Sequence, residues 1–154
     1  MKLSKNFNSS EIFGAHKPTD MQLNTAYRLV TCLIQPIRTK INKPLSIGDG
    51  IRLPSAGYGS STSEHFWRDF DGAVDVSIYD HQERLNIMQW LMNDFRYSVG
   101  QCIYYLETSH LHISLAGRKQ SEFMVCVSKK KDIYRNVTCA DDVIKLDKRL
   151  QDVS

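Results

Sequence analysis

The sequence has no apolar run long enough to cross a bilayer, and none at its N-terminus that could act as a secretion signal, since it opens Met1-Lys2-Leu3-Ser4-Lys5-Asn6-Phe7. We therefore expect a chain made in the cytoplasm, with no signal peptide and no membrane insertion. A target outside the cell would then be reached by lysis, injection or a dedicated export machine. Paired cysteines are also missing. Cys32, Cys102, Cys126 and Cys139 stand far apart among mostly apolar neighbours with no Cys-x-x-Cys, which argues against a thiolate zinc site and a disulfide framework. Charge of one sign is scarce. Twenty Lys and Arg against 17 Asp and Glu leave a formal charge of +3, and only Lys129-Lys130-Lys131 forms a cluster, so no nucleic-acid partner is expected. Repeats and low-complexity tracts are absent as well.

What is present suits one domain. A chain of 154 residues, 42% hydrophobic and 24% charged, buries a core without staples. Over residues 19–40, apolar side chains from Met21 to Ile37 recur at spacings of three and four behind the cap candidates Thr19 and Asp20, predicting a long helix bent near Pro36. A short strand over 44–47 leads into a Gly48-Asp49-Gly50 turn that presents Arg52, and the Ser- and Gly-rich stretch 53–62 reads as a surface loop. Residues 75–78 alternate like a strand, and 82–97 carry helical spacing. The last third predicts a hairpin or meander, with strands over 111–115 and 123–127 joined by a turn at 116–119. An edge strand over 133–137 and a short helix from 141 would complete it.

Three segments carry the chemistry: Ser63-Glu64-His65, Gly72-Ala73-Val74-Asp75 and His110-Leu111-His112. Two histidines and a carboxylate are the ligand set of many open zinc sites, in which a fourth position is left for water. His112 and Asp75 fall inside apolar strand-like segments, where an unpaired polar group is costly unless hydrogen-bonded or metal-bound. His110 lies two residues before His112 and so shares its strand face. Phe66, Trp67 and Phe70 crowd the segment between His65 and Asp75, and core packing is the simpler account of them than a substrate lip.

In order along the chain, Leu3-Ser4-Lys5-Asn6-Phe7, Leu33-Ile34-Gln35-Pro36-Ile37-Arg38, Gly50-Ile51-Arg52, Ser63-Glu64-His65, Ala73-Val74-Asp75, Gly100-Gln101-Cys102-Ile103-Tyr104 and His112-Ile113-Ser114 resemble the zinc D-alanyl-D-alanine carboxypeptidases of the hedgehog/DD-peptidase fold, in their compact phage and bacterial branch. The resemblance spans residues 3–127. It implies that His65, Asp75 and His112 are the Zn2+ ligands, that Arg52 engages a substrate carboxylate or carbonyl oxygen, and that Ser63 is the family serine beside the first ligand. Asp71 is a rival to Asp75, because the gap after His65 is longer than the family's. Where active relatives carry a glutamate as general base, this chain has Ser109, so Glu107 and His110 become the candidates for that task.

The expectation is an α+β fold, a small mostly antiparallel sheet packed against two helices, with the zinc site on the sheet's open face. The expected function is a zinc metallopeptidase cutting peptidoglycan stem peptides, as a phage lysis or virion-associated enzyme. The alternative is an inactive relative that keeps zinc as a cell-wall-binding or virion structural protein.

Overall fold

The long helix forms in three pieces. In the computed structural model, which describes residues 1–52, 63–67, 71–117 and 119–148, a short helix α1 (Ser9–Phe13) precedes α2 (Asp20–Leu29). Thr19 caps α2: its hydroxyl accepts from the Gln22 N–H at 3.2 Å, and the Gln22 side chain returns to the Thr19 N–H at 3.0 Å. The chain then passes through one π-helical turn, Val30–Ile34, into α3 (Gln35–Ile41). Pro36 explains the change. It has no N–H for the carbonyl four residues back, and its ring would collide with that carbonyl in a regular α-helix. The wider turn, in which the Gln35 N–H reaches the Val30 carbonyl, carries the backbone past it. Ala26, Leu29, Val30, Leu33, Ile34 and Ile37 stay fully buried along one stripe through this change of register.

Six strands follow: β1 (Ser46–Asp49), β2 (Ala73–Ser77), β3 (Val99–Tyr105), β4 (His110–Leu115), β5 (Glu122–Ser128) and β6 (Ile133–Asn136), in the order β1-β2-β4-β3-β5-β6. Helix α4 (His81–Asp94) starts on the Asp80 carboxylate, which accepts from the Glu83 N–H at 2.6 Å, and α5 (Ala140–Leu146) closes the described chain. The α+β class is as expected, but the sheet is mixed rather than mostly antiparallel, because β3 and β5 run parallel. The expected hairpin of β4 with β5 does not form, since β3 lies between them. Buried along nearly its whole length, β3 reads Val-Gly-Gln-Cys-Ile-Tyr-Tyr without the alternation that marks a half-exposed strand.

The helices cover one face of the sheet. Val74, Val76, Leu111, Ile113, Tyr104 and Val125 join Leu33, Met88 and Leu91 in a single core. Asp75, His112 and Ile103, at the intervening positions of β2, β4 and β3, point to the opposite face. Arg84, fully buried on α4, donates to the Ile78 and Thr108 carbonyls and stacks 4.2 Å from the Tyr104 ring. The Tyr104 hydroxyl in turn donates to Asp147 at 3.0 Å. Arg84 thus holds the β3–β4 connection just before His110. No described helix is long and apolar enough to cross a membrane.

Candidate metal centre

Asp75 and His112 are cross-strand partners in the β2–β4 ladder, so their side chains leave the same face side by side. His65 arrives from a single 3-10 turn, Glu64–Phe66, capped by Ser63, whose hydroxyl accepts from the His65 N–H at 3.4 Å. The turn ends at Trp67 in a left-handed conformation (φ 50°). Trp67 is pinned there by its indole N–H on the Ala73 carbonyl at 3.2 Å and by an edge-on contact with Phe13 at 5.2 Å. It therefore packs in the core, as expected; Phe66 is half-buried and Phe70 lies outside the described residues.

Three donor atoms converge. His112 Nδ1 lies 2.9 Å from Asp75 Oδ1, His65 Nε2 lies 3.3 Å from the same oxygen, and the two nitrogens are 3.1 Å apart. A tetrahedral zinc ion with bonds of about 2.0–2.1 Å spaces its donors about 3.3 Å from one another, so this triangle has the size of one face of such a site. All three residues are buried, at 3% exposure for His65, 7% for Asp75 and 4% for His112. The site thus lies on the sheet face turned away from the helices, with all three residues buried.

Proton accounting leaves a place for a cation. His65 Nδ1 lies 2.7 Å from the Gly50 carbonyl oxygen, which can only accept, so Nδ1 carries the proton and a neutral ring presents its lone pair at Nε2. That lone pair faces Asp75 Oδ1, another acceptor. As an N–H, His112 Nδ1 can donate to Asp75 Oδ1 or to His65 Nε2; with its proton on Nε2 instead, three lone pairs face one another, the state in which a cation would be held. Burial and charge set the titration of the three groups. Burial opposes charge on His65, but the hydrogen bond and charge of Asp75, the Gly50 carbonyl and the charge of Asp49 together raise its pKa. Burial likewise works against the Asp75 carboxylate, yet His112 and His65 hold it well below the usual carboxylate range. His112 is pushed down, chiefly by burial, so its imidazole stays neutral. Its Nε2 is buried without a hydrogen-bond partner, in contrast to the locked Nδ1 of His65.

Gly50 owes its identity to this arrangement. A Cβ there would run into the Ile12 carbonyl, the same carbonyl that accepts from the Ile51 N–H at 2.8 Å. The N-terminal segment therefore sets the position of the oxygen that orients His65.

Arg52 and Ser63 are brought to the same place. The Arg52 N–H donates to the His65 carbonyl at 2.7 Å, and its guanidinium donates to Ser63 Oγ at 3.3 Å and to Asp49 Oδ2 at 2.7 Å. Asp49 was not singled out from the sequence. Simple alternation from Ile47, which pairs with Val76, would place Gly48 opposite Asp75 and turn Asp49 to the core face. A β-bulge instead pairs Asp49 with Asp75, adding its carboxylate to the site face. The Gly-Asp-Gly run was the available signal.

The other candidates are dispersed. His110 pairs with Ser77 on the site face, and its Nε2 would lie 3.4 Å from a Cβ at Gly48. Glu107 is exposed, accepts from the Lys129 N–H at 3.2 Å and is not part of the candidate ligand group. Ser109 uses its carbonyl to accept from the Ile78 N–H at 2.9 Å. Asp71 is buried but stands outside the ligand group, which among the described residues is His65, Asp75 and His112. The expected loop over 53–62 and part of the expected turn over 116–119, at Arg118, lie outside the described residues. A scan against protein-family models finds no match, and a search of curated proteins finds none either.

Proposed function

We propose that this chain is a zinc-dependent peptidase of the hedgehog/DD-peptidase type that cuts peptide bonds in bacterial cell-wall stem peptides, as a phage lysis or virion-associated enzyme. The observation that carries the reading is the triangle of His65 Nε2, Asp75 Oδ1 and His112 Nδ1, with edges of 2.9 to 3.3 Å, the size of one face of a tetrahedral zinc site. Zinc held there would polarise a substrate carbonyl and bring the pKa of a water ligand toward ~7. The chain's own residues do the rest: the Gly50 carbonyl fixes the His65 ring, and Ser63 and Asp49 hold the Arg52 guanidinium at the same edge to donate to a substrate oxygen.

One observation favours a second reading. Glu107, the acid nearest in sequence to the vacated general-base position, is engaged by the backbone of Lys129. A chain that keeps zinc but lacks the base would act as a cell-wall-binding or virion structural protein.

Elemental mass spectrometry of the purified protein, beside His65→Ala and His112→Ala, tests the site, with about one zinc per chain expected in the wild type and loss from both variants. Incubation with purified peptidoglycan then separates the readings. Released peptide fragments support the enzyme; retention on the cell wall without fragments supports the binder. A metal-free wild type with unaltered variants removes both.

A further inference from the structure

The resemblance leaves open whether Arg52 receives a chain-terminal carboxylate or the carbonyl of a continuing chain, and the two imply different substrates. Arg52 is already balanced. Its Nη2 donates to Asp49 Oδ2 at 2.7 Å, a charge-assisted contact at a half-buried position, with 13% of the Arg52 side chain and 32% of the Asp49 side chain exposed. Its Nη1 donates to Ser63 Oγ at 3.3 Å. The Asp49 carboxylate is on the site face because the bulge in β1 pairs it with Asp75, so it belongs to the floor on which Arg52 rests. A carboxylate brought to Arg52 would lie beside that of Asp49, like charge against like charge in a partly desolvated site. A neutral amide carbonyl accepts from the same guanidinium without this repulsion.

We infer that the site selects an internal peptide bond, with a neutral carbonyl at Arg52, and that Asp49 is the residue that disfavours a free C-terminal carboxylate. The inference rests on the peptidase reading for its substrate. It makes the chain an endopeptidase, in contrast to the carboxypeptidases its sequence resembles. Asp49 acts through Arg52 and is a specificity-determining residue rather than a catalytic one.

The test uses the zinc-loaded protein and a synthetic stem peptide ending in D-alanyl-D-alanine, prepared as free acid and as C-terminal amide. Values of kcat/KM are measured for both. A second pair, with the last peptide bond reduced to CH2–NH so that it cannot be cut, is titrated by calorimetry. The wild type is expected to favour the amide by about tenfold or more in both measurements. Asp49→Asn narrows or reverses that ratio, Asp49→Glu retains it, and Arg52→Gln abolishes it. Zinc content, measured alongside, shows that each variant keeps its site. A wild type that treats the two ends alike or prefers the acid overturns the inference, as does an unchanged ratio in Asp49→Asn. Binding of the uncuttable amide over the acid without turnover of either peptide removes the peptidase reading and leaves Asp49 as the selector of a binding site. A protein that binds neither peptide overturns both.

Discussion

The three candidate ligands titrate in opposite senses, which gives the metal-free protein a defined stability profile. His65 binds its proton more tightly folded than unfolded, so its contribution is fully present below about pH 6.5 and is lost as pH rises through its raised folded value. His112 is the reverse: the unfolded chain takes up a proton near pH 6.5 while the folded one resists, so stability is lost as pH falls below that point. Asp75, depressed in the fold, adds a further loss below about pH 3.9. Urea unfolding of the chelated protein should therefore show these groups giving a maximum near about pH 6.5 and a steady fall toward acid. The acid-side slope should weaken in His112→Gln. A flat profile from pH 7 to 3 would contradict this account. At this scale His65, Asp75 and His112 were legible from residue type and resemblance, and Arg52 and Ser63 from resemblance. Asp49 was hidden, because simple alternation points it to the wrong face.

Irregular backbone does much of the positioning at the level of elements. The bulge in β1, the π turn before Pro36 and the single 3-10 turn bearing His65 each break a regular period. None could be read from periodicity, which detects only the regular parts. The helix beginning after Thr19 was legible from its cap residues and spacing, and the one beginning after Asp80 from spacing alone, with its end expected beyond Asp94, where the helix stops. The central strand β3 was not, since a strand apolar on both faces has no alternation to detect. Gly50 offers the sharpest test. Gly50→Ala forces its new methyl into the Ile12 carbonyl, and we expect a loss of about 1–3 kcal/mol by chemical denaturation. Because the Gly50 carbonyl orients His65, zinc affinity should also fall by about 10–100-fold in a competition titration. Gly48→Ala, whose Cβ meets nothing closer than His110 Nε2 at 3.4 Å, should be the milder substitution in both assays.

Across the whole molecule, the buried guanidinium of Arg84 links layers that share no backbone pairing: it joins α4 to the β3–β4 connection and, through Tyr104, to Asp147 beyond α5. Arg84→Met keeps most of the volume but removes the donors to the Ile78 and Thr108 carbonyls. A loss of about 2–4 kcal/mol is expected, readable as a lower midpoint in thermal or urea melts. Burial raises the Tyr104 hydroxyl to about 12 despite the nearby Arg84. The folded state holds that proton where the unfolded one releases it near pH 10, so stability should decline between about pH 10 and 12. Tyr104→Phe should reduce the decline.

A metal held by the candidate ligands would also have a consequence for how the chain folds. His65 and His112 are 47 positions apart, and Asp75, 37 positions before His112, falls between them, so one ion would close one long loop and one short one. In a chain whose described cysteines are all free thiols, zinc would be the covalent cross-link's substitute, a staple that can be removed with a chelator and replaced at will. Such a staple is expected to form once β2 and β4 have paired and the 3-10 turn has docked. Its loss should therefore show mainly as faster unfolding, with the rate of refolding little changed.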